Sequence, residues 1–201
     1  PDIEEFIQFK TDSTSITNFN LSVAVTAEFM EALKTDSDYG IYDPYLDKTV
    51  GKKNSRKIFD MIVESAWAIG DPGLIFIDRI NSLNPTKEVG RIRATNPCGE
   101  QPLHAYESCN LGSINLSHFH ASDRPEGMDW DRLAEAIYTS VRFLDNVIDV
   151  NSYPLPQIEE MSKSNRRIGL GVMGWADFLL KKNLRYDSKE AVSMASKVAS
   201  F

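Results

Sequence analysis

The segment Thr95-Asn96-Pro97-Cys98-Gly99-Glu100-Gln101-Pro102-Leu103 places a carboxamide, a thiol and a carboxylate at alternate positions, 96, 98 and 100. Pro97, Gly99 and Pro102 disfavour a helix or a central strand, so the stretch reads as a shaped loop. In an extended backbone, alternate residues project to one side. Asn96, Cys98 and Glu100 are then expected to converge on one small substrate. On residue types alone a second reading stands beside this one, in which Cys98 is a small buried hydrophobe and Asn96 a turn former.

A second thiol, Cys109, follows in Tyr106-Glu107-Ser108-Cys109-Asn110-Leu111-Gly112-Ser113-Ile114-Asn115-Leu116. A disulfide between Cys98 and Cys109 requires Cα atoms roughly 4.4–6.8 Å apart, which this spacing allows without demanding. A zinc site is poorly supported, because there is no CxxC pair and His104, His118 and His120 have no regular ligand spacing around the thiols. Those histidines read as solvated or hydrogen-bonded surface, and no metal is expected.

The elements that position these residues follow from periodicity. A helix is expected over Asp2–Lys10. Another runs over Thr26–Leu33, with Val25, Phe29 and Leu33 on one face. A stronger one covers residues 55–69, with Ser55 as cap, a stripe of Ile58, Phe59, Ile62, Val63, Ala66 and Trp67, and Gly70 as stop. The polar stretch Asp36–Lys53 reads as an exposed connection. Gly73–Asp78 reads as a buried strand. Residues 130–149 make the clearest helix, capped by Asp129, with Leu133, Ile137, Val141, Leu144 and Ile148 sharing a face. Pro154 and Pro156 precede a short helix, Gln157–Lys163. Arg167–Gly174 reads as a strand entering a glycine turn, and Trp175–Lys182 as the helix after it. Asp187 with Glu190 resembles a capping box for the last helix. Helices alternating with short strands indicate an α/β class. Gly169, Gly171 and Gly174 match G-x-G-x-x-G, but a lone match is weak, and close backbone packing accounts for it better than a dinucleotide site.

Across all 201 residues, 42% are apolar and 25% charged, as in ordinary soluble domains, and the net charge of −7 argues against a polyanionic partner such as DNA. A nucleotide needs only local cations or helix N-termini. No apolar run nears the ~20 residues of a membrane span, and the start lacks a signal-peptide pattern. Two cysteines are too few for a disulfide scaffold, so a reducing cytoplasm is the default. The chain opens and closes inside apparent helices, and is expected to be a piece of a longer protein.

Asn-Pro-Cys-Gly-Glu-Gln-Pro-Leu over 96–103, followed by Tyr-Glu-Ser-Cys-Asn-Leu-Gly-Ser-Ile-Asn-Leu over 106–116, resembles the finger loop of ribonucleotide reductase catalytic subunits. The wording is nearest to the adenosylcobalamin-dependent class. The likeness extends through Asn18–Val23, Gly70–Gly73, Phe143–Asp149 and Asn165–Gly174, in that order.

This resemblance implies a ten-stranded α/β barrel with a central finger loop, of which residues 1–201 are part. It implies that Cys98 is a thiyl radical site taking the 3′ hydrogen of a ribonucleotide. Glu100 would be the general base for the 3′ hydroxyl, and Asn96 would orient the sugar hydroxyls. A thiol suits hydrogen-atom transfer because its S–H bond is close in strength to the C–H bond it attacks, and no lowered thiol pKa is required. A secluded site would protect the radical, and partial burial would strengthen the carboxylate as a base.

Cys109 matches one member of a redox pair whose partner cysteine lies upstream of this chain. Lys10, Thr11, Asp12, Ser13, Thr14, Ser15, Ile16, Thr17 and Asn18 occupy the place of the family's specificity loop. Adenosylcobalamin is the implied cofactor. Ribonucleoside di- or triphosphate substrates, dNTP or ATP effectors, a thioredoxin-type reductant and a homodimer are the implied partners. Three other readings stay open: a large subunit served by a separate radical-generating subunit, a non-catalytic nucleotide-binding domain of the same fold, and a thiol–disulfide oxidoreductase.

Overall fold

The computed structural model describes residues 2–11 and 17–201. The chain divides between Ala105 and Tyr106 into two compact units.

The first unit contains α1 (Ile3–Gln8), β1 (Ser22–Val25), α2 (Ala27–Lys34), β2 (Asp38–Asp43), β3 (Lys48–Asn54), α3 (Ser55–Ile69), β4 (Gly73–Phe76), α4 (Ile77–Ser82), β5 (Ala94–Thr95) and β6 (Pro102–Leu103). Helix α2 begins where the Thr26 hydroxyl accepts the Phe29 N–H at 3.1 Å, and it buries Phe29 and Leu33 as its spacing predicts. Helix α3 stops at Gly70, whose φ of 82° is the left-handed conformation that glycine adopts freely.

Its cap is Asn54 rather than Ser55: the Asn54 side chain accepts the Lys57 N–H at 3.0 Å. Ser55 is already helical and donates to the Ser37 carbonyl at 2.7 Å. The buried stripe is also narrower than predicted. Ile58 and Ile62 are buried, while Trp67 is 89% exposed. Ile7, Val23, Val25, Phe29, Leu33, Ile58 and Ile62 form the core of this unit.

Two expectations fail here. Asp36–Lys53 is no simple connection, because β2 and β3 pair antiparallel within it. Its side chains are mostly polar, and Ile41 is the residue of β2 that is buried, so the pair lacks an alternating apolar signal. The strand expected over 73–78 ends at Phe76, and Ile77 and Asp78 open α4. It is half-buried rather than buried. Strands β1 and β4 run parallel, Val23 opposite Leu74. A Cβ at Gly73 would lie 2.9 Å from the Ser22 hydroxyl, which would have to shift to admit it.

The second unit contains β7 (Asn110–Asn115), α5 (Trp130–Val150), α6 (Pro156–Asn165), β8 (Ile168–Met173), α7 (Trp175–Lys181) and α8 (Lys189–Ser200), with short 3-10 turns at Leu116–Phe119 and Pro125–Gly127. Asp129 caps α5 by accepting the Arg132 N–H at 3.2 Å. Leu133, Leu144 and Ile148 are buried as predicted, whereas Val141 on the same expected stripe is exposed. Helix α8 is capped by Ser188, which accepts the Ala191 N–H at 3.1 Å. Asp187, the expected cap, pairs with Arg185 instead. Phe178, Leu116, Met128, Leu133 and Met194 centre this unit's core.

Strands β7 and β8 are parallel, with Asn110 opposite Ile168 and Asn115 opposite Met173. Alternation divides their ladder into two faces. Asn110, Gly112 and Leu170 meet α5: the Asn110 amide donates to the Leu144 carbonyl at 3.2 Å, and the Leu144 methyls pack over Gly112. The other face carries Leu111, Ser113, Gly169 and Gly171.

A Cβ at Gly169 would stand 2.5 Å from a Leu111 methyl. Gly174 has a φ of 68°, and Asn115 fills the space where its Cβ would project. Close packing thus accounts for Gly169 and Gly174, through side chains of β7 rather than backbone as expected, while a Cβ at Gly171 would meet only ordinary contacts. Among the described residues the strands form four two-stranded pairs, and no closed barrel forms. The chain is mixed α/β, as expected.

Candidate functional site

The three residues singled out first sit in one hairpin turn. Strands β5 and β6 pair antiparallel, Ala94 opposite Leu103 and Thr95 opposite Pro102, and residues 96–101 close the loop between them. The Asn96 N–H donates to the Gln101 carbonyl at 3.1 Å, and the Gly99 N–H donates to the Asn96 carbonyl at 3.1 Å. The Asn96 side-chain oxygen accepts the Gln101 N–H at 3.0 Å. Gly99 has a φ of 86°, which its missing Cβ permits.

The backbone here is thus a tight turn, not the extended run on which the same-side argument rested. Pro97 and Gly99 bend it, and Asn96 closes it. Asn96 is the turn former that the alternative reading proposed. Cys98 is exposed, so the other half of that reading, a buried hydrophobe, does not hold. Glu100 is exposed as well. Neither has the shelter expected of a radical site within this turn, because a two-stranded hairpin supplies no second layer to cover its tip.

The turn is braced from its own unit. The Asn20 amide donates to the Pro97 carbonyl at 2.8 Å across 77 residues of sequence. Behind the turn, Asn81 donates to the Ile92 carbonyl at 3.0 Å and accepts the Ile92 N–H at 2.9 Å. Asn84 holds the Gly90 carbonyl at 3.1 Å. His104 is 4% exposed and shares a 2.9 Å hydrogen bond with Thr86, so it is buried structure, not the surface histidine expected. His118 is exposed, and the His120 ring meets Phe178 edge-on with centroids 6.2 Å apart. Asn20 holds the turn itself, while Asn81, Asn84 and His104 tie down the segments on either side of the hairpin; a lone Asn or His gives no periodic signal in the sequence.

Cys109 belongs to the second unit, just before β7. Both cysteines are free thiols. Cys109 is half-buried, and burial pushes its thiol up from the ordinary range. Arg167 opposes that shift, and Glu107 adds to it. The thiol borders a cavity of about 250 Å³ lined also by Ser108, Asn110, Tyr153, Ser162 and Arg167.

Of the segment expected to act as specificity loop, Asp12, Ser13, Thr14, Ser15 and Ile16 lie outside the described residues. Lys10 is engaged by Asp71 at 2.6 Å, and the Thr11 hydroxyl donates to the Gln8 carbonyl at 2.6 Å.

A mixed α/β chain with parallel strand pairs and an exposed thiol and carboxylate in one braced turn belongs, by its match over residues 1–201, to the family described as ribonucleotide reductase, barrel domain. Among particular relatives, a vitamin B12-dependent ribonucleoside-diphosphate reductase of Thermoplasma acidophilum is 48% identical over 100% of this chain and 26% of its own length. One of Mycobacterium tuberculosis is 48% identical over 98% of this chain and 28% of its own. A ribonucleoside-diphosphate reductase subunit alpha of Chlamydia pneumoniae is 40% identical over 70% of this chain and 13% of its own. The chain therefore spans about a quarter of the length of the B12-dependent relatives it matches.

Proposed function

We propose that this chain is the radical-cysteine segment of an enzyme that reduces ribonucleotides to deoxyribonucleotides for DNA precursor synthesis. The observation that carries the reading is the braced turn, which presents the Cys98 thiol and the Glu100 carboxylate one residue apart at an exposed tip while Asn96 closes its base. In this reading β1, β4, β7 and β8 are staves of a ten-stranded barrel. Residues 94–103 are its central finger, and the remaining chain supplies the walls that shelter the tip.

The Cys98 radical takes the 3′ hydrogen atom of the sugar. Glu100 accepts the 3′-hydroxyl proton while the 2′ hydroxyl, protonated by a thiol of the redox pair, leaves as water, and Cys98 returns its hydrogen atom to the 3′ carbon at the end of the cycle. Because the Asn96 oxygen is committed to the turn, its Nδ2 is the atom that orients the sugar hydroxyls. Cys109 and an upstream cysteine supply two electrons and close to a disulfide, which a thioredoxin-type dithiol reopens.

The substrate is a ribonucleoside diphosphate, in keeping with the names of the relatives. Effector nucleotides, a homodimer and a cytoplasmic setting complete the picture. When bound, adenosylcobalamin supplies a carbon-centred radical able to take the hydrogen atom of a thiol, and the exposed Cys98 sulfur fits that chemistry.

The test is Cys98→Ser in the full-length enzyme. Deoxynucleotide formation is expected to disappear while nucleotide binding persists. Undiminished turnover would return the chain to the reading of a non-catalytic nucleotide-binding domain.

A further inference from the structure

Glu107 has a fully buried side chain, and its Oε1 lies 2.8 Å from Nε of Arg167, itself 17% exposed. The Asn165 amide donates to the same oxygen at 2.7 Å. A buried ion pair of this kind gains little stability over apolar packing, so stability alone does not explain it.

Its location does. Asn110 pairs with Ile168 in the parallel ladder, so Cys109 and Arg167, one residue earlier in each strand, occupy the next rung. Cys109 and Arg167 line the same cavity. The Cys109 sulfur leans over Gly169, where a Cβ would lie 3.9 Å from it. Other charged groups nearby are engaged elsewhere. From α5, Asp145 and Asp149 bind Arg166. From α6, Lys163 binds Glu159. The Tyr153 hydroxyl donates to the Ile148 carbonyl.

We propose that Arg167, held in place by Glu107 and Asn165, is the cation that stabilises the Cys109 thiolate when an external dithiol reopens the Cys109 disulfide. Glu107 and Asn165 are positioning residues. The inference rests on the assignment of Cys109 to the redox pair.

In the step, a thiolate of the reductant attacks the partner sulfur and the S–S bond breaks. Its electron pair departs on Cys109, which takes a proton from water. The second thiol of the reductant then loses its proton and displaces the partner thiolate. The reductant leaves as a disulfide, having passed two electrons to the enzyme. Arg167 offsets part of the burial penalty on the departing thiolate.

The experiment uses the reduced full-length reductase, with alkylation of Cys109 and Cys98 by neutral iodoacetamide followed by peptide mass spectrometry across a range of pH. In Glu107→Gln with Arg167→Met, both charges go together and no buried charge is left alone. Cys109 alkylation near neutral pH is expected to slow, because the lowering pull of Arg167 exceeds the opposing push of Glu107 and less of the thiol is then ionised, and to converge with the parent at high pH. Cys98 is unaffected. A rate loss equal at every pH, or an unchanged profile, overturns the proposal.

The parent protein supplies a second measurement that needs no variant. Anionic iodoacetate, relative to iodoacetamide, is expected to favour Cys109 over Cys98, and an equal or lower ratio at Cys109 counts against the cation. Cys109→Ser tests the underlying assignment separately. Retained turnover with a protein dithiol removes Cys109 from the redox pair, whereas the alkylation profile reports on Arg167.

Discussion

The side-chain oxygen of Asn96 accepts the backbone N–H of Gln101 at 3.0 Å, so the residue expected to touch the substrate also closes the turn that displays the thiol. Its two ends have separable duties. Oδ1 faces the backbone, and in the proposed function Nδ2 orients the sugar hydroxyls.

Substitution can divide those duties. Asn96→Asp keeps the acceptor and removes the donor, so the turn is expected to persist while turnover falls. Asn96→Ala removes both, at a cost of about 1 kcal/mol locally. Amide exchange at Gln101 checks this: protection should survive in the Asp variant and drop in the Ala variant. Equal exchange in both would sink the division of roles.

Gly99→Ala isolates backbone strain. Among the described residues no atom beyond its chain neighbours lies within 4 Å of the added Cβ, yet the φ is 86°. The cost is therefore conformational, about 1 kcal/mol. Because the strain falls between Cys98 and Glu100, kcat should fall by more than the unfolding midpoint moves. A normal kcat would mean that the tip geometry is not critical.

Arg166 sits in the left-handed region at the end of α6 and binds Asp145 and Asp149, holding both carboxyls below their usual range. Groups whose folded pKa is depressed stabilise the fold above the unfolded value, ~3.9 for Asp, and lose that contribution as pH falls through the folded value. Arg166→Met should therefore lower the denaturant midpoint at neutral pH. The gap from the parent should close as the medium is acidified below the ordinary carboxylate range. A gap independent of pH would show that the guanidinium acts through packing alone.

The two crowded glycines of β8 and its turn should respond unequally. Gly169→Ala pushes against the end of the Leu111 side chain, so Leu111→Ala should restore much of the lost stability. Gly174→Ala meets Asn115 and also carries a φ of 68°. It should cost roughly 1–3 kcal/mol or more, with no single compensating change. Thermal unfolding of the two single variants and the Gly169/Leu111 pair decides it.

Helices α3 and α5 were legible because an apolar residue every third or fourth position is a strong signal, and Gly70 and Asp129 punctuate their ends. Caps were read one residue off at Asn54 and Ser188, where two competent residues stand side by side and only backbone geometry chooses. The β2–β3 hairpin escaped because its strands bury little and so lack alternation. At the site, Pro97 and Gly99 announced a loop but not its direction, and the extended reading was wrong. The contacts Asn20–Pro97 and Glu107–Arg167 join residues far apart in one chain, and no local pattern in a single sequence reports such pairs.

Arg166 and Arg167 are neighbours that send their charges to different partners, one outward to the helix acids and one inward to Glu107. Phase along the chain thus matters more here than composition. Deleting one residue between Asn165 and Ile168 would keep a guanidinium in the segment yet deliver it to the wrong side. Length between α6 and β8 should accordingly be the least variable property of this stretch, even where its side chains change.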